Sequence, residues 1–189
     1  TIGGQNRNAD RTDNFTFDTG TLDATTVVVG TNTGSATGSV SSIWTSNLNL
    51  GGGNTVIGTG GLDISRGATA VTGTDTLVGN LNISGTASVT VANNTTFGAA
   101  IRMSNNTIAS GLTANSNINI TGGSLTVAGH ILKGGSTGTG TATVTLNGGT
   151  LDMGGFNIGA STAAVSLAAQ SGTLSNLSEL NGGGTLTKT

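Results

Sequence analysis

Cysteine, proline and tyrosine are absent from the 189 residues, and the aromatics amount to one tryptophan and four phenylalanines. Without cysteine there is neither a disulfide framework nor a thiolate metal centre. Without proline, no strand loses a ladder donor along the whole chain. Charge is equally scarce, at 7% of residues with a formal net charge of −2. So few cations cannot neutralise a run of phosphates, and no nucleic-acid partner is expected. No apolar run approaches the roughly 20 residues of a membrane-spanning helix, so membrane insertion of this segment is not expected either. The opening TIGGQNRNADRTDN is too polar for the apolar core of a signal peptide.

What is abundant is threonine, with 36 residues, and glycine, with 34. Between them Val, Ile and Leu recur in short bursts, which argues for strands and against disorder. Apolar-x-apolar triplets mark strands with one buried side: LDI at 62, LNI at 81, IRM at 101 and INI at 118, spaced by 19, 20 and 17 residues. Second and third triplets follow each, at TAV 69 and TLV 76, VTV 89 and TFG 96, TIA 107 and LTA 112, LTV 125 and HIL 130. The series continues with VTL 144, LDM 151, FNI 156, VSL 165, TLS 173 and the Leu177 to Leu180 region, then restarts at TLT 185. Towards the N-terminus, LNL 48 and TVI 55 form an incomplete member, with IWT 43 as an extra strand, and FTF 15, TLD 21 and VVV 27 form the first.

The expected fold is therefore all-β: one parallel β-helix over residues 1–189, with about eight coils of roughly 20 residues, each with three short strands. Gly and Asn corners supply positive φ, and the narrow interior leaves little room for aromatic rings. Residues 1–14 read as a polar N-terminal segment, and 31–42 and 133–142 as projecting loops, because neither stretch keeps the period.

From residue 143 on, TVTLNGGTLDMGGFNIGA and LAAQSGTLSNLSELNGGGTLTKT resemble the autotransporter-associated β-strand repeat, also called the passenger-associated transport repeat. GGLDIS at 60–65, GNLNISGTASVTV at 79–91 and TGGSLTVAG at 121–129 share its style. The resemblance implies a right-handed β-helix exported to the outer surface of a bacterium, in a family defined by fold and export rather than by chemistry.

Clustered chemistry is thin. Asp63 and Asp152 fall on different strands several coils apart, so no paired carboxylates for glycan cleavage are expected. Asp10 and Asp13 lie beside Arg7 and Arg11 in what reads as a solvated terminal segment. His130 is the only histidine and reads as a strand-edge residue. GGLDISRG is one poor match to a calcium-binding turn. The alternating threonines at 137–145 run along one strand rather than recurring once per coil, so no flat threonine rank is expected. No catalytic, metal or cofactor-binding residue is assigned.

The expected function is structural: a rigid stalk, or a self-assembling extracellular filament subunit with head-to-tail coil stacking, on or outside a bacterial cell. Its assembly edge would be Thr185, Leu186, Thr187, Lys188 and Thr189, a strand of low charge left open for self-association. The alternative is an adhesin that binds a host or matrix glycan through the projecting loops. Trp44 is the one candidate ligand contact there, weighed against a packing role.

Overall fold

The computed structural model describes residues 1–3, 9–32, 41–67, 74–108, 111–135 and 138–184. Twelve strands form one sheet: β1 (Arg11–Phe17), β2 (Thr21–Asn32), β3 (Ile43–Leu50), β4 (Asn54–Gly67), β5 (Asp75–Ile83), β6 (Ser88–Val91), β7 (Ile101–Met103), β8 (Leu112–Ile120), β9 (Ser124–Val127), β10 (Ile131–Lys133), β11 (Ala142–Asp152) and β12 (Ser166–Ser175). Every strand pair is parallel, and no helix occurs among the described residues. The chain is a β-solenoid with three faces.

Successive pairings give the coil length directly. On the first face Arg11 lies beside Trp44, Trp44 beside Leu77 and Leu77 beside Ala114, steps of 33, 33 and 37 residues. Ile118 then pairs with Val144 and Val144 with Leu167, steps of 26 and 23. Coils are thus longer and fewer than the eight expected. The error has a physical source in β5, where TLV 76 and LNI 81 are one nine-residue strand alternating in and out without a break. Gly79 between them reads as a corner but is extended backbone. IWT 43 and LNL 48 fuse in the same way into β3, and TFG 96 is a turn, not a strand. TAV 69 lies outside the described residues. From Val144 onward the expected triplets do map one to a face.

The second face stacks Leu22, Thr55, Val89, Leu125, Leu151 and Leu174. The third stacks Ile2, Val29, Ile64 and Met103, and farther along Ile101, Ile131, Ile158 and Leu180. Ile2 and Arg11 to Asn14, within the stretch read as a polar N-terminal segment, therefore belong to the stack. Ile2 donates its N–H to the Val28 carbonyl at 2.7 Å and accepts from Gly30 at 2.8 Å, while β1 pairs with β3 along its whole length. Leu48, Leu81, Ile118 and Val144 form one inward column and Ile57, Val91 and Val127 another, all buried. Each such Leu or Ile contributes about 2 kcal/mol.

The first face is wider than the prism it closes. Its inward column Ser46, Gly79, Ser116, Ala142 is made of small residues, because the third face runs against it there. Gly30, Ser65 and Ser104 each end a third-face segment in left-handed backbone, at φ of 74°, 56° and 48°. The two serines reach over to the first face: Ser65 Oγ donates to the Asn115 carbonyl at 2.5 Å and Ser104 Oγ to the Ala114 carbonyl at 2.6 Å. Ser116 Oγ donates to the Ile64 carbonyl at 2.7 Å. Beyond this seam lies a second, smaller core of Trp44, Leu77 and Leu112 with Ile108 against it. The inward position beside the seam carries Trp44, then Leu77, then Ala114 on successive coils, and the backbone of Gly140 lies against the Ala114 carbonyl.

Outside, the first face carries two asparagine ladders. Asn47 donates to Asn14 at 2.8 Å, Asn80 to Asn47 at 2.7 Å and Asn117 to Asn80 at 2.8 Å. In parallel, Asn82 donates to Asn49 and Asn119 to Asn82, both at 2.8 Å. Thr143 and Thr145 continue the two ranks on β11, so the outward ranks are mainly asparagine rather than threonine. Asn80 holds both a donor and an acceptor link. Asn80→Ala should cost about 1–2 kcal/mol in urea unfolding, from two net hydrogen bonds on a half-buried surface.

Candidate functional site

The more deeply buried of the two ion pairs among the described residues lies on the outside of the third face. Asp63 on β4 and Arg102 on β7 are direct ladder partners, 39 residues apart. Arg102 Nε donates to Asp63 Oδ1 at 2.5 Å and its Nη2 donates to Asp63 Oδ2, a two-pronged pair. Their side chains are only 8% and 18% exposed. The Arg102 guanidinium carbon also sits 3.3 Å from the ring centroid of Phe97. The face of an aromatic ring attracts such a cation, more so when water is partly excluded.

Phe97 is held there by local chemistry. Asn94 Oδ1 accepts the N–H groups of Thr96 and Phe97 at 2.9 and 3.3 Å, and its carbonyl accepts from Gly98 at 2.8 Å. Gly98 closes the turn at φ 67°, a conformation in which a side chain would be strained. The Asn94 amide ties the turn to the previous coil through the Gly60 carbonyl at 2.8 Å. The result projects Phe97 with 47% of its surface exposed.

Past the left-handed Ser65 and Ser104, the chain pairs again where Gly67 donates to the Asn105 carbonyl at 3.0 Å. The bend opens a cleft of about 300 Å³ lined by Arg66, Gly67, Phe97, Arg102, Asn105 and Thr107. Arg66 is exposed and makes no ion pair among the described residues. Two guanidiniums, one neutralised by Asp63, leave this cleft net positive on a protein of net negative charge.

The residues singled out from sequence fall elsewhere. Trp44 is 4% exposed, its indole N–H donating to the Ala9 carbonyl at 3.2 Å. It is a packing residue of the second core and has no open face for a sugar ring. Thr185, Leu186, Thr187, Lys188 and Thr189 lie outside the described residues, as does Arg7. Asp13 pairs with Arg11 at 2.6 Å on β1, whereas Asp10 accepts the Ile43 N–H at 2.8 Å. Asp152 ends the second-face part of β11, far along the stack from Asp63. The Gly154 backbone N–H, and then the Asn176 amide, hold its carboxyl below the usual carboxylate value. His130 Nδ1 accepts the Asn157 N–H at 3.0 Å and its ring meets Phe156 edge-on at 5.3 Å, a corner contact. Among the described residues no group of three His, Asp or Glu gathers as a metal site would require. Parts of the two stretches expected as projecting loops are described. Thr31 and Asn32 are buried ends of β2, and Thr139 and Thr141 lie along the first face, bonded to Thr113 and Asn115. Residues 33–40 and 136–137 lie outside the described residues.

Sequence reading passed over Arg66, Phe97 and Arg102. With coils taken as 20 residues, Asp63 and Arg102 belong to coils that never touch; only the 39-residue step makes them neighbours. Comparison with family models, with curated proteins and with solved structures finds no match.

Proposed function

We propose that this chain is a rigid rod module of a secreted or cell-surface bacterial β-solenoid, serving as a stalk or filament segment and carrying out no catalysis. The observation that carries the reading is the pair of edge strands. Among the described residues, β1 pairs only with β3 and β12 only with β11, so these two strands end the described first-face stack. The inward columns are also open there: Phe15 on β1 is 39% exposed, and Leu167 and Leu174 on β12 and Leu180 beyond it are only partly buried. Strands ending in such columns accept another coil in parallel register, from a longer chain or from a second copy, and β12 carries no charged residue.

The resemblance of 143–189 to the autotransporter-associated repeat supports the surface location. The asparagine ladders suit it too, since they tie coil to coil without charge. Electron micrographs of the purified chain, alone and with Leu167→Lys and Leu174→Lys together, test the reading. Rods joined end to end in the wild type and single rods in the variant are expected for a filament. Single rods in both would assign the stalk role. Compact particles without rod shape in either would defeat both.

A further inference from the structure

The geometry points to the Arg66–Phe97–Arg102 cleft as a binding site for a carboxylate-bearing sugar, a uronic acid residue within a polysaccharide. This goes beyond the rod function and does not depend on it. The strand ladder needs none of the exposed chemistry gathered here. Arg66 points its charge to solvent with no anion beside it among the described residues, in a chain with only six Lys and Arg. A guanidinium in that state presents a planar fork of donors that matches a carboxylate.

Arg102 is already committed. Asp63 grips it from below and the Phe97 ring covers it at 3.3 Å, so it acts as a fixed wall that adds field rather than as a free hand. Asp63 and the ring also hold the cleft in shape before any ligand arrives, which lowers the ordering cost of binding. Phe97 supplies the second half of the recognition: an exposed aromatic surface against which the C–H face of a pyranose can lie. Asn105 and Thr107 place amide and hydroxyl groups along the rim for ring hydroxyls. The volume, about 300 Å³, sits at the small end of ligand clefts and suits one sugar residue with its neighbours running out along the groove. A bare inorganic anion would engage Arg66 and leave Phe97 idle; a neutral sugar would do the reverse.

Calorimetric titration of the full chain with galacturonate trisaccharide, a neutral galactose trisaccharide and sulfate separates these cases. The Nε–Hε resonances of Arg66 and Arg102 are followed alongside by NMR. The uronate is expected to bind saturably, to shift the Arg66 resonance most, and to weaken as salt is raised. Arg66→Gln should weaken it about tenfold or more, with Arg66→Lys intermediate. Phe97→Ala should also weaken the uronate while leaving sulfate unchanged. Arg66 is exposed, so thermal midpoints of its variants should match the wild type and rule out misfolding. Equal affinity for the neutral trisaccharide overturns the proposal. So does sulfate binding as tightly as the uronate with Phe97→Ala silent, and so does absence of saturable uronate binding.

Discussion

Gly79→Val should be strongly destabilising at the seam, costing about 3 kcal/mol or more and shifting the urea midpoint far down. A Cβ at this position would come within 2.7 Å of the Val29 carbonyl oxygen, Ile64 Cγ2 and Ser65 Oγ together. One of these is backbone, so no rotamer change relieves the clash. Nor can the third face retreat, because Ser65 and Ser116 bind it to the first through main-chain carbonyls. Gly79→Ala should be milder but in the same direction. If Gly79→Val unfolds at the wild-type midpoint, the two faces do not meet at this column.

Arg102→Gln is expected to be next, at about 2 kcal/mol in the same assay. It leaves the Asp63 carboxylate, 8% exposed, without its cation. The value is set below that for a fully buried pair because Arg102 retains some water contact. Combining Arg102→Gln with Asp63→Asn should recover part of the loss, since neither charge is then left alone. Equal losses in the single and double variants would show that the guanidinium matters through its packing on Phe97 rather than through the ion pair.

Both positions show what could and could not be read from the chain. Strand alternation and glycine or asparagine corners are local signals. They gave the parallel solenoid with three strands to a coil and, from Val144 to Leu180, the right strand for each face. The coil length is not local. TLVGNLNI contains two apolar triplets around a glycine, and nothing in those eight residues says that the glycine is extended because another segment crosses it. Treating Gly79 as a corner halved the coil. With that, Asp63 and Arg102 were moved apart and the cleft vanished from view. For Trp44 the chain left two roles open, ligand contact and packing, because what roofs its ring is a second core that only the wide first face can support.

That wide face has a consequence for assembly. The position beside the seam shrinks from Trp44 to Leu77 to Ala114, while the coil contracts from 33 and 37 residues to 26 and 23. The rod therefore tapers, with a broad two-chambered base and a narrow single-chambered tip. Its polarity is built into side-chain volume. A copy stacked tip to base would meet the broad end on the three shared faces, with the outer chamber of Trp44, Leu77 and Leu112 outside that contact.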